Sequence, residues 1–522
     1  MQDALNQLSP ELKEIFSPLF DDNKRLQIEN VLLREQLRLA LIDKYGPRSE
    51  KLSDGQLELL QGEPSVTSAE VEQEGAQAEE PKTKRECKKK HPGRVDLPAH
   101  LERREVIIPC PPEDCLCGQC DQEKPVFGYE RSEELEVDPA YYWVKVVLRE
   151  KRACREHPEH GVVCAPCPER IIPRGKLADS MIVDVVVKKY GDHLPAYRQS
   201  MILNRDADVE LSRKTLVDVI MKVGGLLEAL IPSLQLDLLA GSYIQADETR
   251  VPCQTARVRG KNHCAFMWEY SRPFGPVIFD FQMSRSRAGP EKLLKGFKGV
   301  LQSDGYGVYD KLGKGIEYAG CFAHVRREFH RAHKLQKNDP RPLEILGLIG
   351  KLYEVEKQAR ETGATDAERL RLRKERSCKI VENLETRILA IRSEADVLPS
   401  SQLAKACNYA MGQWTRVKVF LDHGHVEIDN NWCENGIRPL VIGRKNWMHI
   451  GSEEAGPKVA AIASIFETCK RLGVNVRSYL IDVLPKLPEW PSNRVAELGP
   501  IAWKARQDLQ KPPTLPEPPA GA

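Results

Sequence analysis

Residues 243–281 read YIQADETRVPCQTARVRGKNHCAFMWEYSRPFGPVIFDF. Three runs of β-formers, Tyr243–Gln245, His263–Tyr270 and Pro276–Phe281, are separated by the turn-like pieces RVRGKN and SRPFG, a spacing that predicts an antiparallel meander. Downstream the period changes. Glu291–Phe297 reads as a helix, Gly299–Gln302 and Tyr318–Phe322 as strands, and Ala323 to about His333 as a helix. Hairpin strands followed by alternating helix and strand predict a mixed sheet covered by helices, within a multidomain α/β chain.

The remainder of the 522 residues divides by composition. Region 1–49 is rich in helix formers, and Leu26, Asn30, Leu33, Leu37 and Ala40 follow a heptad seam that predicts a short dimerising coiled coil. Region 50–96 loses periodicity and reads as a linker. It ends in KTKRECKKKHPGR, where Lys88, Lys89 and Lys90 are suited to backbone phosphates. Region 97–173 is Cys-rich, and 174–238 is helical, with Ser212 placed to cap a helix and a geometry open to DNA contact. The catalytic region spans 239–480, with a charged helical insertion at about 335–425. The proline-rich tail, 481–522, is expected to fray. Lysine plus arginine number 78 against 76 aspartate plus glutamate, so net charge alone does not announce a nucleic-acid partner. No signal peptide or bilayer-length apolar run is apparent, which predicts a cytoplasmic chain with no membrane partner.

Three carboxylates stand in distinct settings. Asp247 lies where the first strand is expected to emerge, Asp304 follows Val300 and Leu301 and precedes Gly305, and Glu434 lies in IDNNWCENGIRP. Acids at strand ends can share divalent metal ions with an acid from a neighbouring helix, and hard oxygens suit Mg²⁺ or Mn²⁺. Glu248 is the rival to Asp247, but in a strand it points to the opposite face. Asn430 or Asn431 is placed to cap a helix at Glu434, Arg438 falls one turn later, and Pro439 is expected to limit the extension. Arg444, Lys445, Asn446 and Trp447, in GRKNW, offer a compact turn for phosphate contact and base stacking. In CFAHVRREF, His324 is placed to meet a carboxylate or scissile phosphate. Arg326 and Arg327 point about 100° apart, so at most one faces the site.

Fifteen cysteines in such a compartment are judged first as metal ligands. Cys117 and Cys120 form a CxxC pair, Cys154 and His157 a CxxH pair, and together they fit tetrahedral Zn²⁺. Cys110, Cys115, Cys164 and Cys167 offer rival sets.

The motifs QADET, SDGYGVYD, GCFAHVRREF and DNNWCENGIRPLVIGRKNW, followed by GSEEAG and ETCK, occur in an order that resembles transposases of the insertion-sequence 66 family. LPAYRQ, LSRKTL, RSEKLS and KKKHPGR extend the resemblance over nearly the whole chain. It implies a DDE recombinase with a ribonuclease-H-like catalytic fold, a helical insertion between Asp304 and Glu434, and a zinc-finger-like domain, in which His157 departs from the usual cysteine. It further implies that Asp247, Asp304 and Glu434 bind Mg²⁺ and act on double-stranded DNA, at transposon ends and target, in a homo-oligomer with small accessory proteins of the same element. The alternatives are a catalytically decayed DNA-binding regulator and a nuclease that cuts without joining.

Overall fold

The computed structural model describes residues 177–255 and 262–510, with Leu33, Tyr142, 169–173, Gly175 and the antiparallel strands β1 (Lys151–Ala153) and β2 (Val162–Cys164). Lys88, Lys89 and Lys90, the expected zinc ligands Cys117, Cys120, Cys154 and His157, and the heptad positions other than Leu33 lie outside the described residues.

The helices α1 (Asp179–Tyr190), α2 (Ala196–Ala207), α3 (Arg213–Leu227) and α4 (Ile231–Leu239) lead into the sheet. Ser212 does cap α3, its hydroxyl accepting from the Thr215 N–H at 3.1 Å. Five strands then form one mixed sheet in the order β5-β4-β3-β6-β7. β3 (Tyr243–Cys253), β4 (His263–Ser271) and β5 (Val277–Gln282) pair antiparallel. After α5 (Ala288–Leu293), β6 (Gly299–Gln302) pairs parallel with β3, and β7 (Ile316–Ala319) parallel with β6.

Two boundaries differ from the reading of the sequence. β3 does not end near Gln245 but continues to Cys253, despite Pro252. The Pro252 carbonyl accepts from the Ile450 N–H at 2.8 Å, so its nitrogen faces the side away from β4 and no ladder donor is lost. The last strand lies at Ile316–Ala319 rather than Tyr318–Phe322, because Phe322 already opens the next helix.

Alternation along β3 sends Ile244 and Ala246 into a core shared with Trp268, Tyr270, α1 and α3, and Tyr243 into a second core on the other face. That second core is built by α6 (Phe322–Leu335), α7 (Pro340–Glu361), α8 (Asp366–Leu372), α9 (Cys378–Ser393), α10 (Gln402–Gly412) and the short α11 (Trp414–Val417). A buried ion network ties this helical insertion together. Glu356 Oε1 lies 2.7 Å from Arg373 Nε, and Arg369 bridges Glu356 to Glu427, with Nη2 2.6 Å from each. Arg373 also donates to the Phe420 carbonyl at 2.9 Å, so the insertion holds the segment that returns the chain to the sheet.

That return is α12 (Asn431–Trp447), which packs on β3 and β4, followed by α13 (Ala455–Arg471) along β5. An edge strand exposes unpaired amides. Here Thr468 Oγ1 accepts from the Val277 N–H at 3.0 Å and Ser464 Oγ from the Phe279 N–H at 2.8 Å, so α13 covers the β5 edge. The segment after Pro485, expected to fray, instead folds back beyond α14 (Val476–Val483) as α15 (Pro500–Gln510). Tyr479 donates to the Leu498 carbonyl at 2.8 Å and Trp503 Nε1 to Asp482 at 2.8 Å. Buried Leu498 and the Tyr479–Trp503 edge contact join this end to the core that holds α1, α3 and Ile244.

Candidate active site

Asp247 sits in the middle of β3, opposite Glu269 of β4, and not at a strand end. Its Oδ1 accepts from the Glu248 N–H at 2.8 Å. Glu248 belongs to the other face. Its carboxylate accepts from Tyr309 OH at 2.6 Å and from Arg285 Nε at 2.8 Å, and Arg285 in turn stacks 3.7 Å over the Tyr306 ring. Glu248 is therefore committed to a clamp on the loop after β6.

Asp304 lies in that loop, two residues beyond β6. Gly305 adopts a φ of +88°, and a side chain there would meet Gln413 at 2.6 Å, so glycine is required for the turn. The Tyr306 N–H donates to Asp304 Oδ1 at 2.8 Å, and Tyr409 of α10 donates to the Asp304 carbonyl at 2.9 Å. The insertion thus reaches the loop of the second acid.

Glu434 occupies the first turn of α12. The expected asparagine cap is not made: neither Asn430 nor Asn431 accepts from a helix amide through its side chain, and Asp429 Oδ1 instead accepts from the Asn431 N–H at 3.2 Å. His324 Nε2 stands 3.5 Å from Glu434 Oε1, and Arg327 Nη2 stands 3.3 Å from Oε2. Of the two neighbouring arginines it is Arg327 that meets the third acid. Arg326 lies on the side of α6 toward Tyr353.

Pro439 does not stop α12, which runs on to Trp447. The lost amide and ring clash cost about 3 kcal/mol in a helix interior. Ile437 and Leu440, buried against Val251, Met267 and Phe279, offset that. GRKNW is accordingly the last helical turn and not a compact loop. Arg444 donates to the Arg250 carbonyl, and Trp447 packs against the same apolar cluster, while Lys445 is exposed and Asn446 half-buried. Arg438 feels the charge of Glu434, and its Nη1 is buried without a hydrogen-bond partner.

Electrostatics separates this cluster from an ordinary set of surface acids. Burial pushes the Asp247 carboxyl well above the usual carboxylate range, and the negative charges of Glu434, Glu248 and Asp304 push it further. Burial lowers His324, against the opposing pull of Glu434. The donor set of hard oxygens with an excess of negative charge fits a divalent cation. Among the described residues, no three such side chains stand close enough as they are to hold one.

Two further residues escaped the reading of the sequence. Gln245 and Gln302, each two positions before an acid, are fully buried and face the segment leading to Glu434. The signal was present as an amide inside an apolar run, repeated in IQAD and LQSD.

An acid of β3, one from the loop after β6 and one from the start of α12, set on a mixed five-stranded sheet, define a candidate acidic active site. The family model described as "Transposase IS66 family" matches residues 174–458, "Transposase C of IS166 homeodomain" matches 32–106, and "IS66 C-terminal element" matches 464–501. The chain belongs to the IS66 transposase family. Three uncharacterised proteins of Sinorhizobium fredii (strain NBRC 101917 / NGR234) are similar to it. y4jD is 34% identical over 79% of this chain and 82% of its own length. y4qI is 33% identical and y4hP 30%, each over 90% of this chain and 88% of the relative. No helix among the described residues is long and apolar enough to cross a membrane.

Proposed function

We propose that this chain is a DDE transposase that hydrolyses DNA at transposon ends and joins the freed 3′-hydroxyl to target DNA. The observation that carries the reading is the electrostatic convergence of Asp247, Asp304 and Glu434, which lie on β3, after β6 and at the start of α12. The strand order β5-β4-β3-β6-β7, three antiparallel strands then two parallel, supports a ribonuclease-H-like catalytic domain. The helices α7–α11 are its insertion.

Asp247, Asp304 and Glu434 would hold Mg²⁺ or Mn²⁺, which when bound activates the attacking oxygen and stabilises the leaving one. The chain's own residues do the rest. Glu248, Arg285 and Tyr306 fix the Asp304 loop, and His324 and Arg327 hold the Glu434 carboxylate. Arg438, one turn beyond Glu434 on α12, adds positive charge beside that carboxylate, suited to a nearby DNA phosphate. In the first step a water oxygen bonds to phosphorus and the strand's 3′-oxygen leaves, taking a proton. In the second that 3′-hydroxyl bonds to a target phosphorus, loses its proton, and a target 3′-oxygen leaves. Each displacement makes one P–O bond and breaks one, so no covalent protein intermediate is needed.

The N-terminal region supplies the remaining proposals: a coiled coil for homo-oligomer assembly, Zn²⁺ held by Cys117, Cys120, Cys154 and His157, and Lys88, Lys89 and Lys90 on the DNA backbone. The test is an assay with paired end sequences, a target plasmid and Mg²⁺, comparing wild type with Asp247→Asn and Glu434→Gln. Joined products lost in both variants support the transposase. Cleavage without joining supports a nuclease, and binding without chemistry a decayed regulator.

A further inference from the structure

We propose that Gln245 and Gln302 form a buried amide clasp that positions Glu434 against Asp247 and Asp304. The inference rests on the reading of these three acids as the catalytic set. Both glutamines have no exposed surface. Gln245 Nε2 lies 2.8 Å from the Asp429 carbonyl, 2.7 Å from Tyr243 OH and 3.0 Å from Gln302 Oε1. Its Oε1 accepts from the Cys433 N–H at 3.1 Å, the amide immediately before Glu434. Gln302 Nε2 donates to the Glu427 carbonyl at 2.9 Å and to the Gly320 carbonyl at 2.8 Å, and its Oε1 accepts from Tyr243 OH at 2.5 Å. Tyr243 OH accepts in turn from the Glu427 N–H at 3.2 Å.

The backbone at 427, 429 and 433 is thereby read by side chains of β3, which carries Asp247, and of β6, which leads into the Asp304 loop. Gln245 lies on the same face of β3 as Asp247, and Gln302 ends β6 two residues before Asp304, so a shift of the clasp moves Glu434 relative to both. Only a carboxamide meets the requirement. An apolar side chain leaves buried carbonyls without donors. A carboxylate supplies no donor and adds charge beside Asp247, and a lysine would pair with the acids it is meant to arrange. Other bonds keep the segment folded without the clasp, among them Tyr353 OH to Asp429 Oδ2 at 2.8 Å and Arg369 to Glu427 at 2.6 Å. Gln245 and Gln302 are therefore positioning residues and not the sole support of the loop.

The full chain is compared as wild type, Gln245→Leu and Gln302→Leu by hydrogen exchange and by Mn²⁺ binding followed through the free-ion paramagnetic signal. Loss of one such bond predicts exchange about tenfold faster over 427–434, with β4, β5 and α13 unchanged. Mn²⁺ affinity is expected to fall in both variants, and adding Gln245→Leu to Glu434→Gln is expected to lower it no further, since the glutamine acts through that acid. Unchanged exchange over 427–434 in a folded variant, or additive losses in the double variant, overturns the clasp. Gln302→Leu leaves the acceptor for Cys433 in place and carries the test if Gln245→Leu does not fold. Mn²⁺ binding unaffected by Glu434→Gln would instead overturn the catalytic reading, and the exchange result would still decide the clasp.

Discussion

Gly436→Ala is expected to damage the site from inside the fold. In a helix interior this exchange ordinarily stabilises by up to about 1 kcal/mol, because alanine restricts the unfolded chain. At this position the sign reverses. A Cβ on Gly436 would lie 2.7 Å from Glu269 Cδ and closer still to both carboxylate oxygens. Glu269 cannot yield, being fully buried and held by Arg471, whose Nη2 stands 2.9 Å from its Oε1 and also donates to the Trp432 carbonyl at 2.6 Å. To restore ordinary contact α12 must retreat from β4 by roughly 1 Å, taking with it Glu434, half a turn away. Overpacking of this kind costs about 1–3 kcal/mol, whereas a displacement near 1 Å at reacting groups can cost about 100-fold in rate. Gly436→Ala should therefore lower end cleavage about 100-fold while the melting transition falls only modestly. Gly412→Ala, with nothing within 4 Å of the added carbon, is the control and should be neutral in both assays. Cleavage at the wild-type rate by Gly436→Ala would refute the argument that α12 is seated directly on Glu269.

Three further outcomes are expected. Arg373→Met leaves Glu356 buried with half its partners and should lower stability in urea by about 3–5 kcal/mol. Burial raises Glu356 but its arginines outweigh it and hold it below the ordinary value, so the pair's contribution is present above that value and fades as pH falls through the depressed one. The difference between wild type and Arg373→Met should thus shrink in acid. Glu269 is pushed up to about 8 by burial, against the pull of Arg471, so its contribution is full below the ordinary glutamate value and is lost as pH rises through 8. Glu269→Gln should match wild-type stability to within about 1 kcal/mol at or below the ordinary glutamate value and remove the loss that the wild type shows from there up to about pH 8, as read from melting curves. Asp247 is also raised, so Asp247→Asn should melt above the wild type at neutral pH without metal. Mn²⁺ at 100 times its dissociation constant should stabilise the wild type by about 2.7 kcal/mol and the variant far less.

The parts of the fold written in local pattern were legible. His263–Tyr270 and Gly299–Gln302 alternate or cluster apolar residues between clear turns, and the strands fall there. Ser212 stands before a helical run and caps it. What failed was decided by tertiary contacts. The first strand reads as ending at Gln245 and Pro439 as limiting a helix, yet Pro252 turns its missing donor away from β4 and Pro439 sits in a helix buried by Ile437 and Leu440. Trp447 looks free in GRKNW because nothing local reveals the cluster from β3 and β5 that takes it in. The same holds at the site. Asp304 and Glu434 stood out by their glycine and asparagine neighbours and Asp247 by its strand, whereas Gln245 and Gln302 did not, because their partners lie more than a hundred residues downstream or in the other strand.

The placement of Glu434 beyond the insertion also imposes an order on synthesis. A nascent chain emerging from the ribosome exposes Asp247 of β3 and Asp304 after β6 well before α12 has been translated. A message broken or a chain cleaved anywhere in 305–433 yields a product with two acids and no third. Under the proposed function, premature termination in that interval yields proteins that cannot cut DNA.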